Sequence, residues 1–344
     1  TIGEPLIGLL TRQRENLGID EVTFHKRTPL LTDRTKVTNL LDRGARLCAD
    51  ADARAGFREI GIQPTYETQE ALERASVVID CTPSGVGQEN KVRFYETHAR
   101  NTLGFIAQGS EFGFGKMYAR GINDRALVRG EEKFLQVVSC NTHNLAVLVH
   151  RIGIADEGPD NLVEGRFLCI RRSNDISQDS SFIPSPQVGA HKDAQFGTHH
   201  ARDAHHLFRT LGYHLNLFSS ALKVNTQYMH TIWFSIRLRK PTTRERVREQ
   251  LEKDPLVATT HKVSANTIFS FGRDYGHYGR ILNQTVVCLP TLHVRDRTEV
   301  VGFCFTPQDG NSVLSSVAAA TWFLDPDTYN ERLRCLQEFV FREV

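Results

Sequence analysis

The sequence has no run of eighteen or more apolar residues and no charged-then-apolar opening, so neither a membrane-spanning helix nor a secretory leader is read from it. A cytoplasmic protein is the expectation. It also lacks any Cys-x-x-Cys pair, which argues against a zinc ribbon or a thioredoxin-like motif. The seven cysteines (Cys48, Cys81, Cys140, Cys169, Cys288, Cys304 and Cys335) are odd in number and scattered, and they read as free thiols. There is no surplus of one charge: 42 Lys and Arg against 40 Asp and Glu leave +2. That balance offers no broad basic field, so nucleic acid is not an expected partner, and neither is a membrane. Internal repeats and low-complexity tracts are absent as well.

What is present is a chain of 344 residues, long enough for two domains that bury their own cores. Through the first 140 residues, strand-like and helix-like segments alternate. Ser76 to Cys81, Leu103 to Ala107 and Phe134 to Val138 are short apolar runs of the kind that suits strands buried on both faces, and Gln69–Arg74 and Gln88–Arg100 read as helices between them. Repeated strand–helix–strand units predict an α/β, Rossmann-like doubly wound parallel sheet.

After residue 150 the texture changes. Leu162–Arg171 and the alternating stretch Ala221–Leu238 read as long strands separated by polar loops, and Thr242–Glu252 as a charged helix. This predicts an α+β second domain with a mixed or antiparallel sheet. The expected division is 1–139 for dinucleotide binding, 140–311 for catalysis, and 312–344 as helices returning to the first domain, the last running from Asp325-Pro326-Asp327 to Val344. Thr1-Ile2-Gly3 reads as the second half of a Gly-x-Gly-x-x-Gly turn with no strand before it. The natural chain is therefore expected to begin about ten residues earlier, with a first strand and two glycines.

Cys140 stands out among the reactive side chains. It ends a buried strand and opens the apolar helical stretch that follows, so its thiol meets the unpaired N–H groups and positive dipole end of a helix, which favour the thiolate. A bare strand–Cys–helix junction fits a packed core thiol equally well.

Context decides between them. Asp80-Cys81-Thr82-Pro83-Ser84-Gly85-Val86-Gly87, Gln108-Gly109-Ser110-Glu111 and Val137-Val138-Ser139-Cys140-Asn141-Thr142 closely resemble runs of the archaeal-type (type II) phosphorylating glyceraldehyde-3-phosphate dehydrogenases. Arg171-Arg172, then Ser185-Pro186 through Thr198-His199-His200-Ala201-Arg202-Asp203, then Tyr228-Met229-His230 match in the same order.

The resemblance implies oxidation of glyceraldehyde 3-phosphate to 1,3-bisphosphoglycerate, with inorganic phosphate and NAD or NADP, in a homotetramer. It makes Cys140 the nucleophile and His230 the general base. It assigns substrate and phosphate to Asn141, Thr142, Arg171, Arg172, His199 and His200. Cofactor contacts fall to Thr1, Ile2, Gly3, Lys26, Arg27, Thr82, Pro83, Gly85, Gln108, Gly109 and Asn311. Lys26 and Arg27 stand where an acidic residue would hold the ribose of NAD, so NADP is favoured. The loop Pro307-Gln308-Asp309-Gly310-Asn311 departs from the family pattern, as does His143 after Cys140-Asn141-Thr142.

His191, His199, His200, His205, His206 and His214 form a dense group, yet their spacing lacks the i, i+4 pairs usual in zinc sites, and no metal is expected. Two other functions remain open: a related Cys-dependent dehydrogenase of another phosphoaldehyde or semialdehyde, and an inactive nucleotide-binding oligomer with an assembly or regulatory role.

Overall fold

The computed structural model describes residues 2–109, 111–174 and 183–344. Strands β1 (Thr23–His25), β2 (Arg46–Ala49) and β3 (Tyr66–Glu67) form a parallel sheet in that order. A second parallel sheet takes β4 (Val77–Asp80), β5 (Gly104–Gln108), β6 (Lys116–Tyr118) and β7 (Phe134–Val137) in the order β4-β5-β7-β6. The third sheet comprises β8 (Leu162–Arg171), β9 (Gln187–Val188), β10 (Leu217–Lys223), β11 (Thr231–Leu238), β12 (Val257–Thr260), β13 (Thr285–Arg295) and β14 (Glu299–Phe305). Its order is β12-β13-β14-β11-β8-β10-β9; β8 pairs parallel with β10 and β12 with β13, and the remaining pairs are antiparallel. The fold is thus α/β with Rossmann-like parallel sheets and a mixed sheet, as the sequence pattern predicts.

The apolar runs explain the layers. In β5 every residue is buried, and alternate side chains enter different cores. Ile106 packs in the cluster that holds Leu6, Leu9, Val313 and Val317, whereas Phe105 and Ala107 join Tyr95 and Phe114. In β8 and β11 only one set alternates inward: Phe167, Cys169, Ile232 and Phe234 meet Leu145 and Leu148 of the helix Cys140–Leu148, and Leu207 and Phe208 of the helix His199–Arg209. Two helices that carry expected site residues are therefore fixed on the mixed sheet by its inner face.

Two expectations are corrected. The stretch Ala221–Leu238 is not one strand, because residues 224–230 leave the ladder. There the Val224 N–H donates to the Arg171 carbonyl at 2.9 Å and the Ser173 N–H to that of Thr226 at 2.8 Å, which sets His230 at the head of β11. Nor does a helix run to Val344. A short helix Tyr329–Arg332 tightens into a 3-10 segment Leu333–Phe339, and the chain then pairs with β12 through the Val344 N–H and Thr259 carbonyl, 3.0 Å apart. The Asn283 side chain takes both backbone groups of Phe341, which a continuing helix would keep for itself.

The helix Gly310–Leu324 lies against β4, β5 and β7. Among the described residues no helix is long and apolar enough to cross a membrane. The contact is tightest at Gly104, where an added Cβ would fall 2.3 Å from the ring of Phe323. Gly104→Ala should therefore cost about 1–3 kcal/mol through overpacking, read as a lower urea midpoint at unchanged m-value. An unchanged midpoint would mean that this helix is not seated on the sheet.

Candidate active site

Cys140 opens its helix in the way the sequence predicts. Ser139 is the N-cap, its hydroxyl accepting the Thr142 N–H at 3.3 Å, and Cys140 follows as the first helical residue, half-buried. Elsewhere in the fold, burial pushes the thiols of Cys48 and Cys169 up to about 12. The neighbours of Cys140 are structural. Thr142 has no exposed surface, and Asn141 accepts the Thr306 hydroxyl at 3.2 Å, so any effect of either on a ligand passes through the helix start that they build. Asn311 donates to the Cys140 carbonyl at 2.9 Å and to that of Gln284 at 3.1 Å.

His230 lies on the same site. Its Nδ1 accepts the backbone N–H of Arg172 at 3.1 Å, and its carbonyl accepts the Thr306 N–H at 3.0 Å. The link to Cys140 is Asp309, which pairs with Arg172 at 3.1 Å and hydrogen-bonds the Cys140 side chain. Burial alone would raise its carboxyl, yet Arg172, His230 and Arg280 hold it below the usual range. Asp309, Gln308 and Arg280 are the residues that sequence reasoning left without a role. The irregular loop 307–311 was the only available signal, since Arg280 sits in an unrelated turn. Gln308 and Asp309 have φ of 49° and 66°, a left-handed conformation that is uncommon outside glycine and recurs at functional sites.

The two arginines differ. The Arg172 guanidinium is buried and engages Gln308 and Asp309, whereas the resemblance assigns it with Arg171 to substrate and phosphate. Arg171 ends β8 near His199 and His200, whose rings are 3.9 Å apart at the start of the helix His199–Arg209. His200 is buried, and burial, followed by His199, Arg171 and His230, keeps its pKa well below the ordinary value. Neither of its ring nitrogens, nor the Arg171 Nε, has a hydrogen-bond partner in the described structure. Unsatisfied buried donors beside a helix N-terminus suit an anion. Among the described residues no group of three His, Cys, Asp or Glu side chains is arranged to hold a metal.

On the parallel sheets, the motif residues interlock. Asp80 accepts the Thr82 N–H at 2.8 Å and the Tyr95 hydroxyl at 2.7 Å. Glu111 accepts the N–H groups of Gly85 at 2.6 Å and Gln88 at 3.0 Å, joining two of the runs that carry the family resemblance. Thr82, Pro83 and Gly85 are exposed just beyond β4, and Gly109 ends β5 at φ 49° with open space where a Cβ would stand. Gln108 instead donates to Ser316 at 2.7 Å. Ile2 caps the helix Gly3–Arg12, and a Cβ on Gly3 would lie 3.7 Å from that of Cys81. At the end of β1, Lys26 pairs with Asp33 at 2.6 Å while Arg27 is exposed. Thr1 and Ser110 lie outside the described residues.

His143 has no exposed surface. Its Nδ1–H donates to the Ser139 carbonyl at 3.0 Å, its Nε2 accepts from the Ser315 hydroxyl at 2.8 Å, and burial lowers its pKa from 6.5 to about 4. An unfolded chain takes up that proton near pH 6.5 and the folded ring only near 4. The ring's contribution to stability is thus complete above pH 6.5 and is lost as pH falls toward 4, at about 1.4 kcal/mol per pH unit. Burial lowers His150 and His277 to about 4 as well. Urea titrations across this window should show falling stability, with a shallower slope in His143→Gln. Identical slopes would mean that His143 is protonated in the fold.

No family model matches the chain. Curated relatives do. The glyceraldehyde-3-phosphate dehydrogenase of Methanobacterium bryantii is 29% identical over 309 residues, covering 86% of this chain and 83% of the relative. That of Methanobacterium formicicum is 28% identical over 75% of this chain and 70% of its own length, and that of Metallosphaera sedula 26% over 73% and 71%. The resemblance carried by the six motifs thus extends along most of the chain, which is similar to the archaeal-type glyceraldehyde-3-phosphate dehydrogenases.

Proposed function

We propose that this protein is an NAD(P)-dependent aldehyde dehydrogenase of the phosphorylating kind, acting on glyceraldehyde 3-phosphate. The observation that carries the reading is a helix-N-terminal thiol, Cys140, joined through Asp309 to Arg172 and His230, with the unpartnered Arg171 Nε and His200 ring on the other side of His230. Its archaeal relatives, named glyceraldehyde-3-phosphate dehydrogenase, support the choice of substrate.

Cys140 forms a bond to the aldehyde carbon, and the carbonyl electron pair moves to oxygen. A nicotinamide bound nearby supplies the hydride acceptor. Cys140 then carries the acyl group as a thioester, inorganic phosphate attacks that carbon, and the thiolate leaves. Arg171, His199 and His200 hold the phosphate-bearing ligands, and Asn141 and Thr142 keep the helix start in place beneath them. The open ends of β4 and β5 fit a dinucleotide, as ligands of doubly wound sheets lie beyond the carboxyl ends of the strands. Gly3, Thr82, Pro83, Gly85 and Gly109 would line it. NADP preference rests on Arg27 more than on Lys26, because Asp33 already engages the lysine.

In this reading residues 1–139 hold the cofactor, 140–311 carry the chemistry and 312–344 rejoin the first part. The homotetramer would form on the outer face of the mixed sheet, where Leu168, Phe218 and Trp233 are half-buried.

NADP and NAD reduction with glyceraldehyde 3-phosphate, assayed with and without phosphate, tests the reading. The expected result is turnover that requires phosphate and is abolished in Cys140→Ser, with cofactor binding retained. Near-normal turnover of Cys140→Ser would end the thioester scheme, and phosphate-independent turnover would favour another aldehyde dehydrogenase. Arg171→Ala should raise KM for the phosphate-bearing ligands by about one to two orders of magnitude, as loss of a charge-assisted contact predicts.

A further inference from the structure

Phe112 lies in the loop between β5 and β6 and is 44% exposed, yet its ring is engaged by two side chains of one helix. The Arg202 guanidinium stands over the ring at 4.1 Å, and the His206 ring meets it edge-on with centres 5.2 Å apart. Those residues are one turn apart on the helix His199–Arg209, so Phe112 grips the first two turns, the part that presents His199 and His200. Arg202 is itself held by the buried Asp203 carboxylate at 2.9 Å. It also bears on His199, whose pKa is lowered to about 4 by burial first, then by Arg171 and by Arg202.

The same loop is tied on its other side to the residues after β4. Glu111 takes the N–H groups of Gly85 and Gln88, the Gln88 side chain donates to the carbonyls of Glu111 at 3.2 Å and Phe112 at 3.0 Å, and Lys91 donates to that of Phe114 at 2.7 Å. A Cβ on Gly87 would fall 3.0 Å from the Glu111 carboxyl group, so this seam is close-packed. The seam toward the helix is open: a cavity of about 200 Å³ lies beside Phe112, lined also by Gly113, Met117, Gln136 and His206. Gly109 and Gly113, at φ 49° and 87°, bracket the segment and serve it as hinges.

We propose that Phe112 is a positioning residue that couples the cofactor site to the anion site, so that a nucleotide beyond β4 tightens the hold of Arg171, His199 and His200 on phosphate. The inference rests on the proposed function, from which it takes both ligands. A dinucleotide against Thr82, Pro83 and Gly85 orders residues 82–88, and the N–H groups of Gly85 and Gln88 then stay on Glu111. With Glu111 fixed, the ring stays against Arg202 and His206 instead of swinging over the cavity, and the helix start keeps the geometry that an anion needs. The ordering entropy is lost once, with the first ligand, and the second meets a segment already in place. Linkage makes the effect mutual, so phosphate tightens the nucleotide by the same factor. Asn123, which donates to Thr210 at 2.9 Å, holds the far end of this helix independently of either ligand, which confines the coupling to the first two turns.

Calorimetric titration of the full chain with inorganic phosphate, with and without saturating NADP, tests this. In the unaltered protein NADP should lower the phosphate Kd by about three- to tenfold, the worth of one cation–π and one aromatic contact on an exposed ring, and phosphate should lower the NADP Kd equally. Phe112→Leu keeps an apolar side chain without the ring. It should bind each ligand alone within about twofold of the unaltered protein, while the coupling factor falls to one or below because two anions left to themselves repel. Phe112→Tyr keeps the ring and should keep the coupling. A merely structural role would weaken the ligands singly and leave the factor unchanged. Glu111→Gln, with one acceptor oxygen for two N–H groups, should weaken the coupling from the other side, and it decides the matter if Phe112→Leu folds poorly. Full coupling in either Phe112→Leu or Glu111→Gln overturns the inference, as does its absence from the unaltered protein. Coupled binding of both ligands without aldehyde oxidation would end the enzymatic reading and leave the coupling standing, and turnover without coupling would do the reverse.

Discussion

A guanidinium with almost no exposed surface needs a carboxylate beside it, and much of this site follows from how the chain answers that need for Arg172. Asp309 comes from the loop after β14, and to reach Arg172 the backbone passes through two left-handed residues in succession. Directly after them Gly310 opens a helix, and a Cβ there would fall 1.8 Å from the Ile281 carbonyl oxygen. The ion pair thereby fixes where the helix Gly310–Leu324 starts. That helix lies against β4, β5 and β7 and also against the helix Cys140–Leu148, so the same contact bears on both.

The helix itself is an uncommon element, buried along nearly its whole length and yet dotted with polar side chains. Helices apolar on all sides are the usual solution for a core position. Here the polar groups find partners along the route. Asn311 binds the Cys140 carbonyl, Ser315 accepts the Arg120 N–H and faces His143, and Ser316 accepts Gln108. Each ties a part of the site to one rigid body. His143, whose presence departs from the family pattern, is accommodated in this way: Ser315 supplies the hydrogen that its Nε2 lacks.

What could be read in the sequence was what local chemistry fixes. The buried strand at β5 was visible because both faces of an apolar run are covered, and the Cys140 junction because strand, cap and helix are consecutive. The break inside Ala221–Leu238 was hidden because alternation continues across it, and only the pairing of Val224 with Arg171 and of Thr226 with Ser173 reveals it. The end of the chain misled for a related reason. Its composition suits a helix, but Asn283, far away in sequence, captures the backbone of Phe341. The purpose of Glu111 lies in a contact between distant runs, since the N–H groups of Gly85 and Gln88 donate to it. Asp309 was least legible of all, since its partner lies more than a hundred residues earlier and left-handed positions are usually announced by glycine.

The pair Arg171-Arg172 shows how two neighbours in one motif come to stand in different surroundings. Two adjacent residues at the end of a strand start toward opposite sides. Arg171 turns toward the helix that begins with His199 and His200, where polar groups lie buried without partners. Arg172 turns to the Asp309 loop, where its charge is already answered. The alternation of the strand thus places one two-residue motif in two surroundings, with Arg171 beside the unpartnered ring of His200 and Arg172 against Asp309, its backbone N–H on His230 Nδ1.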